Sequence, residues 1–95
     1  MKLSPKAQLF VRKAVAEAAS QTLRLAARRL GGDPWSGELS PEAAQLAKAA
    51  LDDHRNLLRA RLEMPLTDDE AADLSNDLGF IDAVRSDLVA WLKPV

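Results

Sequence analysis

Alanine and leucine dominate the apolar side chains of this chain, and this bias narrows the choice of fold more than any other feature. The sequence holds 17 alanines and 16 leucines, which together make up most of its hydrophobic residues. Both residue types favour helices, whereas the β-branched and aromatic residues that favour strands are few. No segment alternates polar and apolar residues for long enough to indicate a half-buried strand. The composition therefore predicts an all-α protein.

Length and residue content also restrict the general class of protein. A chain of 95 residues is long enough for one domain. It has no cysteine, which excludes disulfides, thiol nucleophiles and cysteine-ligated metal centres. No apolar run approaches the roughly 18 residues of a membrane span, and charged residues interrupt the N-terminal segment, unlike a signal peptide. We therefore expect a cytoplasmic protein that forms a single helical domain over residues 1–95.

Start signals indicate where three helices begin. Ser4 and Ser40 each precede a proline, so that a capping side chain is followed by a residue suited to the first turn of a helix. Thr67 and Glu70 have the spacing of a capping box, in which each residue satisfies a backbone N–H group of the other. The sequence therefore predicts helix starts just after these three caps.

Stop signals end the first two of these helices. Gly31 and Gly32 can adopt the left-handed conformation that terminates a helix, and Pro65 disfavours helix in the residue before it. We therefore predict three helices, which cover about residues 5–30, 41–63 and 68–92. Similar lengths and short connections predict an up-down-up antiparallel bundle. The alternative is an extended helical hairpin that a second copy of the chain completes.

Gly79 leaves the third predicted helix open to two interpretations. It could end a short helix at Leu78, with a fourth helix beginning at Phe80. The apolar residues on both sides nevertheless keep the three- and four-residue spacing of one helix across the glycine. A glycine inside a helix costs only about 1 kcal/mol. We therefore favour one helix, with a kink allowed at Gly79, over the four-helix alternative.

The first predicted helix carries more apolar surface than one packing seam requires. One face holds a core stripe that is rich in small residues. A second set repeats every seven residues on a different face, and it consists of Leu9, Ala16, Leu23 and Leu30. This second stripe either contacts another helix of the same bundle or meets another chain, as a homodimer or as a partner-binding face.

Charge is segregated along the chain, although the formal net charge is only -1. Residues 1–32 carry seven basic side chains and one acidic one, whereas residues 63–95 carry eight acidic and two basic ones. Several bases share one face of the first helix, namely Lys2, Lys6, Lys13, Arg24 and Arg28. This face could be a solvated surface with ordinary salt bridges, a docking surface for an acidic face of another molecule, or a contact for a phosphate backbone.

The sequence holds little that supports catalysis. It has no glycine-rich phosphate loop, no nucleophile elbow and no His/Cys pair. His54 is the only histidine and lies on the apolar face of the second helix, where a hydrogen-bonded core position is favoured over a pH-sensitive contact or a metal ligand. We therefore expect no enzyme, cofactor, metal, small-molecule substrate or membrane contact.

Trp35, in the loop after the first helix, can plug one end of the bundle or act as an exposed contact residue. Our prediction is a non-enzymatic protein–protein interaction module, such as an adaptor, a small assembly subunit or an inhibitor, which also allows a homo-oligomer. The predicted partner-binding residues are Leu9, Arg12, Lys13, Leu23, Arg24, Arg28, Leu30 and Trp35. The alternative function is binding to a nucleic-acid backbone through the same basic face, which the slightly negative net charge disfavours.

Overall fold

The computed structural model describes residues 1–93 and contains four α-helices in that range. Their bounds are α1 Pro5–Ala16, α2 Gln21–Leu30, α3 Pro41–Leu62 and α4 Asp68–Leu92. Lys2 and Glu38 form an isolated antiparallel bridge, and the same range contains no named strand. The predicted all-α class is therefore confirmed. None of these helices combines the length and the apolar character that crossing a bilayer requires.

Three of the four helices begin where the sequence predicts. Ser4 and Ser40 each accept a hydrogen bond on Oγ from the backbone N–H three residues later, at 3.1 Å in both cases. Thr67 accepts a hydrogen bond from the backbone N–H of Glu70 at 3.2 Å, and the Glu70 carboxylate accepts one from the backbone N–H of Thr67 at 3.4 Å. Caps of this kind typically contribute about 1 kcal/mol each to stability.

The predicted continuous helix over residues 5–30 is wrong, because the chain leaves the helical path at residues 17–20. Ser20 caps the start of α2 by accepting a hydrogen bond from the backbone N–H of Leu23 at 3.2 Å. A serine side chain offers nearby backbone N–H groups a partner outside the helix, which favours it at helix starts. The turn buries Ala18 and Leu23, and it allows both α1 and α2 to contact α3.

α4 runs through Gly79 without a break, as the spacing of its apolar residues predicts. Residues 1–93 form four helices because the chain turns just before Ser20, and not because Gly79 breaks α4. The four-helix alternative therefore has the right number of helices with the break in the wrong place.

Replacing Gly79 by alanine is expected to raise the free energy of unfolding by about 0.5–1 kcal/mol. The glycine lies in a helix interior, and a Cβ atom built there meets no other atom within 4 Å, so that only the backbone entropy changes. Urea unfolding followed by circular dichroism measures the effect. Gly31→Ala is the matched control and should destabilise, because Gly31 has a φ of 70°. A loss of stability in the Gly79 variant would contradict the expectation.

α3 is the central element, because it contacts each of the other three helices. Its buried face consists largely of small side chains, which let neighbouring helices approach closely: Ala43, Ala44, Ala47 and Ala50. The largest fully buried side chains are Leu51 from α3, Ile81 and Leu88 from α4, and Val11 from α1. α1, α2 and α4 therefore all pack against α3.

The loop between α2 and α3, residues 31–40, packs back onto the protein. Trp35 and Leu39 are both buried in the core. The backbone N–H of Leu39 donates a hydrogen bond to the carbonyl of Met1 at 2.9 Å, which joins the end of the loop to the N-terminus. The loop is thus held against the N-terminal segment and against α1.

Candidate functional site

A depression of about 460 Å³ lies between α1 and α2. We call it the basic depression. It is lined by the apolar residues Val15, Ala16, Ala27, Pro34 and Trp35 and by the two arginines Arg24 and Arg28. Its position next to two exposed cations makes it the candidate binding surface on this side of the molecule.

The turn at residues 17–20 creates the basic depression, because it folds α2 back beside the end of α1. Arg24, Ala27 and Arg28 are three and four residues apart, so they share the face of α2 that meets α1. Trp35 reaches the same place from the loop, and its side chain is only 4% exposed. A rigid aromatic ring therefore forms part of an otherwise small-residue lining.

The two arginines that line the basic depression have no carboxylate in direct contact among residues 1–93. Arg24 and Arg28 are exposed, and within residues 1–93 neither forms an ion pair. Two acidic residues of α3 and α4 have basic partners on those same helices: Asp82 contacts Arg55 at 2.7 Å, and Asp52 contacts Lys48 and Arg85. The bases of α1 and α2 therefore keep a positive field that is open to another molecule.

Arg12 differs from Arg24 and Arg28 because it forms an ion pair with Asp33. Its guanidinium donates to both carboxylate oxygens of Asp33, at 3.3 Å from Nε and 2.5 Å from Nη2. The hydrogen bond from Arg12 holds the pKa of Asp33 below its usual value. The two-point contact anchors the start of the loop to α1.

The structure places the predicted partner-binding residues other than the three arginines in different surroundings. Leu9 is 63% exposed and Lys13 is also exposed, both on α1. Leu23 is only 8% exposed, and it lies with Trp35 in the core of the chain itself. Leu30 is partly buried beside Leu46 of α3, away from the basic depression.

The predicted apolar stripe of Leu9, Leu23 and Leu30 is therefore not one surface. A seven-residue spacing aligns side chains only along a continuous helix, and the turn before Ser20 gives α2 a different axis from α1. Leu23 and Trp35 are buried in the core of their own chain, and Trp35, which lines the basic depression, is only 4% exposed. Arg24 and Arg28 stay exposed and are brought together.

A second candidate surface, which the sequence prediction missed, lies at the turn between α3 and α4. A cleft of about 370 Å³ there is lined by Arg61, Met64, Pro65, Leu66, Glu70, Asp73 and Leu74. We call this surface the acidic end. Met64 is 64% exposed. The apolar run of residues 64–66 between two charged helix ends is the signal in the sequence that points to it.

His54 lies in a third, smaller pocket of about 180 Å³ next to the turn between α1 and α2. Its Nδ1 is 3.6 Å from a carboxylate oxygen of Glu17, which is too long for a hydrogen bond, and it has no hydrogen-bond partner. Burial lowers the pKa of His54. In residues 1–93 no group of three histidine or acidic side chains is placed to hold a metal ion.

Comparison with known proteins gives no family for this chain. No protein-family model, no curated protein and no solved structure matches it. Its function is therefore inferred from the arrangement of its side chains alone.

Proposed function

We propose that the protein is a non-enzymatic protein–protein interaction module, built as a small helical bundle, that docks a partner on the basic depression. Such a module acts as an adaptor, a small assembly subunit or an inhibitor. The proposed location is the cytoplasm, because small secreted domains commonly depend on disulfides and this chain has no cysteine.

One observation carries this proposal: exposed arginines that form no ion pair within residues 1–93 flank an apolar lining. Arg24 and Arg28 stand beside Ala16 and Ala27, with Trp35 below them. Arginine is enriched among the residues that dominate binding energies, and it binds carboxylates through two parallel hydrogen bonds. The complementary partner presents an apolar side chain that is flanked by carboxylates.

Arg28→Glu is expected to weaken partner binding at least about tenfold, because it replaces an attraction by a repulsion at the depression. Arg29→Glu is the matched control. Arg29 is the next residue in the same last turn of α2, but it lines a different depression with Leu46. The measurement is affinity capture from a lysate with the immobilised wild type and each variant, followed by mass spectrometry and titration of the retained protein.

The comparison between the two variants decides the proposal. A partner that is retained by the wild type and by Arg29→Glu, and that Arg28→Glu loses, supports it. Equal losses in both variants would mean that only the overall positive charge matters. Circular dichroism of each variant excludes unfolding as the cause.

A nucleic-acid backbone is the second candidate ligand. Apart from Arg12, the basic side chains of residues 1–32 make no ion pair with any residue in the described range 1–93. Phosphate contacts depend on the sum of such charges and are strongest at low salt. If this function is correct, filter binding to DNA or RNA at low salt falls about equally in Arg28→Glu and Arg29→Glu.

A further inference from the structure

We propose that the partner of the basic depression is the acidic end of a second copy of this chain, so that the protein associates head to tail. This inference rests on the proposed function and names its partner. The two surfaces are opposite in charge, and each combines an apolar lining with charged side chains at its edge.

The acidic end has the chemistry that the basic depression requires. Glu70 and Asp73 line its cleft, and Glu63, Asp68 and Asp69 are within two residues of a lining residue in the chain. All five acidic residues are exposed. The bases in the same region are Arg59 and Arg61, so the acids are in excess. Met64 and Pro65 are exposed and Leu66 is half-buried, so the three residues supply an apolar segment among these charges.

Individual side chains of the two surfaces are also matched. Met64 is flexible and polarisable, and such a side chain fills shallow apolar depressions. Val15, Ala16, Ala27 and Pro34 supply the apolar lining of the depression that such a side chain contacts. Glu63 and Asp73 supply carboxylates that suit the guanidinium groups of Arg24 and Arg28.

The two surfaces are separate in one copy of the chain. No residue lines both of them, and no ion pair within residues 1–93 joins Arg24 or Arg28 to an acidic residue of the acidic end. The contact therefore joins two molecules through different surfaces, and such heterologous contacts produce rings or open chains.

The association is expected to be weak and sensitive to salt. The contact is small and rich in exposed charge, which places it among transient interfaces. Sedimentation velocity of the full chain, from about 10 μM to about 1 mM, should show an average mass that rises with concentration. Raising the ionic strength from about 0.05 M to about 0.5 M should reduce that rise, because salt screens exposed charges.

Charge reversal on each surface tests the head-to-tail arrangement. Arg28→Glu and Asp73→Lys should each weaken self-association at least about tenfold. An equimolar mixture of the two variants should associate again, because the unchanged surface of each fits the unchanged surface of the other. Arg29→Glu and Asp87→Lys are controls on the same helices and should associate like the wild type.

The possible outcomes separate this inference from the proposed function. A wild type that stays monomeric at about 1 mM and low salt overturns the inference, and so does a mixture that fails to associate. If the wild type is monomeric while Arg28→Glu alone loses a different captured protein, the proposed function stands and only its partner is wrong. If neither self-association nor face-specific capture is found, both are wrong.

Discussion

Trp35→Ala is expected to lower the free energy of unfolding by about 3–5 kcal/mol, the range for removing a buried aromatic side chain. The side chain is 4% exposed and belongs to the core. A domain of this size is stabilised by only about 5–15 kcal/mol, so the variant loses a large fraction of its stability. Urea unfolding followed by far-ultraviolet circular dichroism measures the change.

The two tryptophans of the chain provide the control for this experiment. Trp91 lies near the end of α4 and is 40% exposed, so Trp91→Ala removes much less buried area. We expect it to cost about 1 kcal/mol or less. If both replacements had equal effects, Trp35 would not contribute to the core as its burial indicates. A loss of binding without any loss of stability would instead assign Trp35 to a contact surface.

His54 is expected to make the protein less stable as the pH falls from about 7 to about 5. Because burial lowers the pKa of its imidazole in the folded state, the unfolded chain takes up a proton at a higher pH than the folded chain. The free energy of unfolding therefore decreases below the unfolded pKa of about 6.5. One such group changes it by at most about 1.4 kcal/mol per pH unit.

Charged groups from three helices surround His54 and modify this effect. Glu17 raises the pKa of the imidazole, Lys13 and Arg61 lower it, and Asp77 of α4 raises it. Asp53 lines the same pocket. Burial outweighs the two carboxylates that favour the charged form, so the direction of the shift is downward.

Variants of the pocket test the assignment to His54. His54→Leu should abolish the pH dependence between about pH 7 and about pH 5, because no other histidine is present. Glu17→Gln should steepen it, since the neutral amide no longer favours the imidazolium. Asp33 and Asp52 also have lowered pKa values in the folded protein. Their contribution to the free energy of unfolding is lost only below about pH 4, where the unfolded chain takes up protons at these carboxylates. An unchanged pH dependence in His54→Leu would show that another group is responsible.

Local signals in the sequence were sufficient for most helix boundaries. Ser4, Ser40 and Thr67 cap helices as predicted, because capping involves side chains and backbone groups only three residues apart. The passage of α4 through Gly79 was also predictable, since the apolar spacing continues on both sides. These features depend on neighbouring residues and need no knowledge of the fold.

The candidate surfaces could be predicted only in part. Segregation of charge is visible in the sequence, and it indicated that Arg24 and Arg28 belong to a binding surface. Their meeting with Ala16 and Trp35 requires a turn that the helical pattern does not show. The role of Arg12 depends on Asp33, which lies 21 residues away in the chain. The cleft at the acidic end likewise forms only when α3 and α4 are packed side by side.

The amino-acid sequence alone was enough to specify an all-helical chain, its capped starts and its opposite charges at the two ends, because these follow from composition and from interactions within one or two helical turns. Tertiary packing decided whether residues 5–30 form one helix or two. The glutamate, the two alanines and the serine at residues 17–20 can continue a helix or end it at similar cost. Burial of Ala18 and Leu23 against the rest of the protein favours the turn, and this packing creates the basic depression.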